Sequence, residues 1–242
     1  MPHLHRFYHP QGVSGSGSAL LSPEESHHAL RVLRIRTGDT VELFDGRGYA
    51  WTAAVGTLSR AEVAVDVMQE TYTPPEAPGL TLAQAWLHRD KVLDELVRDV
   101  TVLGVAHICF YRAAHSEKAP KFSPKWTRLA VEACKQCGRR WLPEITVAAN
   151  LAEVLAQHAA ADIAVAAMEG PHVPIPTISK ARPVVYLVGP EGDFSADEMG
   201  VLRARGALPL SLGRYTLRSE TAATVGVTLI QHHLGALGGN EV

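Results

Sequence analysis

The sequence predicts two folds in series: a small β-barrel over residues 1–72, then an α/β domain with a mostly parallel sheet over residues 80–242. Three observations predict this. Before residue 72, short strand-like runs dominate and one helix interrupts them. Then comes "TYTPPEAPG" (Thr71 to Gly79), whose three prolines and glycine continue neither a sheet ladder nor a helix. From Leu80 onward, apolar runs alternate with helical periodicity, the pattern of a sheet buried on both faces.

The first helix begins at Ser22-Pro23-Glu24-Glu25. Ser22 caps it, Pro23 takes the first helical position and Glu25 stands three after the cap. "TVELFDGRGYAWTAAV" reads as two strands around Asp45-Gly46, a hairpin signal. "AEVAVDV" (Ala61 to Val67) alternates apolar and polar, as a half-buried strand does. In the second domain "LTLAQAWL" reads as a strand. "KVLDELVRDVTVLG" is a helix with Val92, Leu93, Leu96, Val97 and Val100 at helical spacing and Gly104 at its end. "VAHICFYRA" is a strand, "TRLAVEACKQCG" and "LAEVLAQHAAA" are helices, and "DIAVAAM" is a strand. Last come "PVVYLVG" (strand), "SADEMGVLRARG" (helix), "PLSLG" (strand) and "SETAATVGVTLIQHHLG" (helix). This final helix, apolar around much of its circumference, is expected to lie partly at a dimer interface.

A net charge of -2 argues against a protein that coats nucleic acid without selectivity. One segment departs from that balance. Arg112 to Arg140 carries eight basic residues and two acidic ones. A solvated helix face would explain such a run, but a phosphate-contacting surface is the reading favoured. The segment includes the irregular "HSEKAPKFSPKW", where Phe122 and Trp126 sit among lysines, and exposed aromatics with cations suit single-stranded RNA. The three cysteines suit a reducing compartment. The N-terminus lacks the apolar core of a leader, and no run approaches the ~20 apolar residues of a membrane helix. A soluble cytoplasmic protein is expected. Cys134-x-x-Cys137 has no second pair to complete a zinc site and lies near a helix end, where a redox motif would not. Both cysteines therefore read as packing residues. The histidines (His3, His5, His9, His27, His28, His232, His233) lack partners at ligand spacing, so no metal is expected.

Open α/β sheets bind ligands at the carboxyl ends of their strands. Two loops there are rich in turn residues. One is Gly189-Pro190-Glu191-Gly192-Asp193-Phe194, leading into a capping box at Ser195-x-x-Glu198. The other runs from Gly213 to Ala222 and opens the last helix. Neither has the Walker or the Rossmann spacing. Their glycines let main-chain groups approach a ligand that is not chiefly a phosphate, and an adenosyl group fits.

"LVGPEGDFSADE" followed by "LSLGRYTLRSETAA" resembles the paired signature of bacterial 16S rRNA uracil-N3 methyltransferases, the RsmE-like branch of the SPOUT superfamily. "SHHALRVLRIRTGDTVELFDGRG" looks like that family's PUA-like barrel. Gln136, Gly138, Arg139 and Pro143 match its Gln-x-Gly-Arg…Pro segment. The resemblance implies a C-terminal deep trefoil knot, S-adenosyl-L-methionine bound there, a homodimer, and 16S ribosomal RNA or the small subunit as substrate. It implies cofactor loops formed by Leu187, Gly189, Pro190, Glu191 and Gly192, then Leu212, Gly213, Leu217, Arg218, Thr221 and Ala222. Arg34, Lys118, Lys121, Arg139 and Arg140 are the expected RNA contacts, although the last two could equally cap a helix. Asp193 stands where the family usually has a second Gly, and Ser219 where it has Thr. The motif Lys-Ala-Thr-Glu-Leu-Gly-Val appears as Asp99-Val100-Thr101-Val102-Leu103-Gly104-Val105, without its Lys and Glu.

Methyl transfer from a sulfonium needs the nucleophile, carbon and sulfur in line, and no metal. A uracil imide must lose its proton, and charge then grows on the flanking carbonyls. Arg218 is the expected stabilising cation, or else it pairs with Glu220 and braces the loop. Glu220 also suits a helix start for its charge alone. Glu191 could accept the proton, balance the sulfonium or simply accept loop amides. Other targets on the same fold, a transfer RNA or a ribose hydroxyl, and a non-catalytic assembly factor are the alternatives.

Overall fold

The computed structural model describes residues 4–13, 17–166 and 173–238. His3 and the end of "DIAVAAM" beyond Ala166 lie outside them. The chain divides into two units. One comprises Met1–Pro75 with Val131–Leu142, the other Glu76–Ala130 with Pro143–Val242.

The first unit is a mixed five-stranded sheet: β1 (His5–Tyr8), β2 (Ser18–Leu20), β3 (Thr40–Phe44), β4 (Tyr49–Leu58) and β5 (Val63–Tyr72), in the order β1-β3-β4-β5-β2. Only β1 and β3 pair in parallel. The hairpin turn is held by the Asp45 carboxylate, which accepts from the amides of Arg47 (2.7 Å) and Tyr49 (3.1 Å). Gly46 and Gly48 there have φ of 76° and 97°, which favours glycine. Helix α1 (Pro23–His27) is capped by Ser22 Oγ, which accepts from the Glu25 amide. A π-helical turn follows and ends at Arg34, whose φ is 53°. Phe7, Val41, Leu43, Val55, Val63 and Val65 belong to one core of this unit. A second cluster joins Phe44 and Ala50 to Cys134, with Val131 and Leu142 against it. Lys135 adds an ion pair to Glu25 at 2.6 Å. These contacts explain why residues 131–142 belong here, so the division falls inside helix α3 (Lys125–Cys137).

The second unit is a six-stranded sheet in which every neighbouring pair is parallel. Its strands are β6 (Leu80–Ala85), β7 (His107–Tyr111), β8 (Glu144–Ala148), β9 (Asp162–Ala166), β10 (Val184–Val188) and β11 (Leu208–Pro209), ordered β11-β9-β10-β6-β7-β8. Every residue of the central β6 and β10 is buried, as apolar runs covered on both faces require. The strand expected at "PLSLG" is only two residues long. Pro209 has no amide to donate to a ladder, and Ser211 onward leaves the sheet. Helices α2 (Asp90–Val102), α4 (Leu151–Gln157), α5 (Ala196–Ala204) and α6 (Ser219–Leu234) complete the unit. No helix among the described residues is long and apolar enough to cross a membrane.

Two packing details matter for the site. A Cβ on Gly226 of α6 would lie 2.2 Å from the Tyr186 ring of β10, so glycine alone permits this approach. The Tyr186 hydroxyl in turn donates to the Ala222 carbonyl at 2.9 Å. At the other end of α6, Gln231 Nε2 donates to the Leu103 carbonyl, tying α6 to the turn after α2. That turn closes the segment Asp99–Val105, whose first four residues end α2.

Candidate active site

Strand β10 delivers its last residue, Val188, into Gly189-Pro190-Glu191-Gly192-Asp193. The turn closes with the Asp193 amide donating to the Pro190 carbonyl at 3.0 Å. Asp193 takes a φ of 58°, a left-handed conformation that Asp tolerates better than most residues. Phe194 is buried behind the turn. The capping box is formed: Ser195 Oγ accepts from the Glu198 amide and the Glu198 carboxylate from the Ser195 amide. The other Glu198 oxygen takes the Ala114 amide at 2.9 Å. His115 Nδ1 lies 3.0 Å from both the Gly192 and Asp193 carbonyls. Those acceptors require Nδ1 to carry the proton. The loop is thus latched to the segment after β7.

The second loop leaves β11 with the Leu210 amide donating to Val165. Gly213 has a φ of 130°, and Arg218 is the N-cap of α6. Ser219 joins the two loops: its hydroxyl donates to the Gly189 carbonyl and accepts from Gln84 Nε2 of β6. Gln84 is fully buried and its amide also donates to the Ala85 carbonyl, which fixes its orientation.

Between the loops lies a cavity of about 730 Å³. Of the expected residues, Gly189, Pro190 and Glu191 line it from the first loop, and Leu212, Gly213, Leu217, Arg218 and Ala222 from the second. Three do not line it. The Leu187 side chain is in the core beside Val165 and Leu202, because β10 alternates its faces. Gly192 turns to His115, whose Cβ is 3.3 Å from where a glycine substituent would sit. Thr221 is exposed on α6 and outside the lining. Sequence reading missed Arg89 and Tyr215, which also line the cavity, and Gln84 and His115, which hold its loops. Their only signal was position: each stands at or just beyond the carboxyl end of a strand or within a loop that follows one.

The cavity carries Arg89, Arg214 and Arg218 against Glu191, Asp193 and Glu220, with Leu87, Val188, Leu210, Leu212 and Leu217 as apolar wall. Arg218 is exposed and makes no ion pair among the described residues, so the alternative, a brace to Glu220, is not formed. Glu191 is exposed as well. Nearby, burial pushes the Tyr111 hydroxyl well above the ordinary phenol range, and it donates to the Val188 carbonyl at 3.2 Å.

The residues expected at RNA are divided between the units. Arg34 is exposed in the first unit, and Lys118 and Lys121 are exposed in the second. In the first unit Arg140 is tied to Thr73 Oγ1 and Glu42, and the Arg139 carbonyl accepts from Arg6. The basic run is less open than expected. Lys125 pairs with Asp94, and Trp126 is 2% exposed, packed 4.5 Å from Phe110 with its Nε1 donating to Asp94. Phe122 alone of the two aromatics is exposed. The cysteines also differ: burial pushes the Cys134 thiol up to about 12, whereas Cys137 is exposed and not the packing residue expected.

Residues 75–231 match a family model described as an RNA methyltransferase domain, and residues 21–67 one described as an RNA methyltransferase PUA domain. The ribosomal RNA small subunit methyltransferase E of Aquifex aeolicus is 29% identical over 233 residues, 95% of this chain and 100% of its own. The protein of the same name from Buchnera aphidicola is 26% identical over 225 residues, 89% and 88% of the two chains. A crystal structure of ribosomal RNA small subunit methyltransferase E from Neisseria gonorrhoeae bound to S-adenosyl methionine superposes with a TM-score of 0.82 at 25% identity, covering 95% and 97%.

Proposed function

The chain belongs to the RNA methyltransferase family, and we propose that it methylates the imide nitrogen N3 of a uracil in small-subunit ribosomal RNA, with S-adenosylmethionine as donor. One observation carries this reading. Two loops from different strands, joined through Ser219, line one cavity.

The cavity fits the donor. Its volume of about 730 Å³ lies in the ~300–1,000 Å³ range of small-molecule sites. Val188, Leu210, Leu212 and Leu217 offer apolar surface for a purine, and Gly213, with nothing within 4 Å of where a side chain would sit, leaves main chain for reading its edge. Glu191 and Asp193 can balance a positive sulfur. When bound, the donor supplies a methyl group on a sulfonium. The chain's own part is positioning and charge. Arg218, free of any ion pair among the described residues, would hold the carbonyl oxygen beside N3 as negative charge grows there. Glu191 on the same wall would accept the imide proton. Lys118, Lys121 and Arg34 would contact phosphates. The names carried by the Aquifex and Buchnera proteins support the substrate, and the Neisseria complex supports the donor. We also propose a homodimer built on α6, where Val225 and Leu229 stand one turn apart and neither is fully buried.

Two experiments test the reading. Calorimetry should show S-adenosylmethionine binding at one site per chain. Mass spectrometry of 16S rRNA from a deletion strain should show loss of one 3-methyluridine. An unchanged 3-methyluridine content would refute the assigned target.

A further inference from the structure

We propose that Arg214 and Tyr215 form a stacking ledge for the uracil to be methylated, an identification that rests on the methyltransferase reading above. Tyr215 is the most exposed large apolar side chain among the described residues, at 71%. Its ring is not idle, because the Arg214 guanidinium lies 4.7 Å from its centroid. That is within the ~6 Å over which a cation is attracted to an aromatic face. Neither side chain forms a hydrogen bond or ion pair among the described residues, so the fold does not need them where they are. Both line the cavity that Gly189 and Arg218 also line.

A base that is to react must leave its stack, and an enzyme recovers part of that cost by offering a new aromatic surface. A tyrosine braced on one side by a guanidinium provides such a surface. A planar base can lie on the ring, and the cation strengthens the arrangement. The loop that carries the ledge continues directly into Leu217 and Arg218. The base would therefore be stacked three residues from the cation proposed to stabilise its carbonyl. An unpaired pyrimidine suits this site better than a phosphate, because a phosphate would take Arg214 away from the ring.

The test uses the full chain with Tyr215→Ala, Tyr215→Phe and Arg214→Ala. Each is assayed for S-adenosylmethionine affinity by calorimetry, for sedimentation, and for methyl transfer to small ribosomal subunits. Tyr215→Ala should lower kcat/KM on the order of 10- to 100-fold, the scale of one lost base stack. Donor affinity and sedimentation should be unchanged, and Tyr215→Phe should restore activity. Three results would overturn the ledge: unchanged kcat/KM in Tyr215→Ala, an equal loss of donor affinity, or a shift to a smaller species. The second would mean that Tyr215 stacks on the donor, the third that it touches a second copy. If the wild-type chain itself bound no donor, the ledge would fall together with the methyltransferase reading. Full activity in Tyr215→Ala against an active wild type would remove the ledge alone.

Discussion

Ser219 shows how one hydroxyl can set a site. It links the Gly189 carbonyl to the buried Gln84 amide, and so links the first loop to the second through β6. Ser219→Ala would remove both bonds inside the core, at a cost of about 1–3 kcal/mol. A melting curve should show that loss, calorimetry a weaker donor affinity, and Ser219→Thr should recover both. Gly189 acts differently from its apparent role as a bare cavity wall. A side chain there would meet the Phe194 ring at 3.2 Å and Asp193 Oδ1 at 3.3 Å, so Gly189→Val would displace the turn from behind. We expect it to abolish donor binding while the chain stays folded; retained affinity in calorimetry would contradict this. A third prediction concerns pH. His107 on β7 and His158 are held below the ordinary histidine value by burial, their rings 5.3 Å apart. Histidines with depressed folded values add stability that is complete above the unfolded value of about 6.5 and is lost as pH falls through the folded values. Thermal stability should fall between pH 7 and 5, and His107→Gln, which can still reach Thr146 Oγ1, should flatten that decline.

At the scale of elements, the sequence was most legible where period and turn chemistry agreed. The Asp45-Gly46 hairpin, the Ser22 and Ser195 caps and the apolar stripe of α2 all formed because each rests on contacts between near neighbours. Strand β8 was not anticipated. Its short "EITVA" carries little pattern of its own and is set by pairing with β7. Trp126 misled for the same reason: surrounding lysines suggested exposure, but its partners Phe110 and Asp94 come from distant parts of the chain. Helix α6 offers the sharpest test of packing. Gly226→Ala would place a methyl group against the Tyr186 ring, and overpacking a filled core costs about 1–3 kcal/mol. Chemical denaturation should show that loss, with weaker donor binding as α6 and its leading loop shift. Wild-type stability in this variant would mean that α6 sits farther from β10.

On the scale of the whole molecule, the two glycine-bearing loops were visible in sequence because each follows an apolar strand. Their meeting was implied only by the family resemblance and not by either run alone, since strand order decides it: β10 lies beside β9, and β11 lies on the far side of β9. The supports Gln84 and His115 escaped notice likewise, being brought in by β6 and by the segment after β7. The inclusion of residues 131–142 in the first unit also has no compositional mark. It rests on Cys134 and Leu142 finding the cluster around Phe44. Sedimentation of the purified chain at micromolar concentration should give a dimer; a monomer would remove the α6 interface proposed above. The central claim, that both loops grip one adenosine-like molecule through main-chain atoms, is tested most directly by amide hydrogen exchange with and without S-adenosylmethionine. The account predicts that peptides covering residues 188–194 and 211–219 slow together at the same donor concentration. Protection of one loop alone, or of neither, would contradict it.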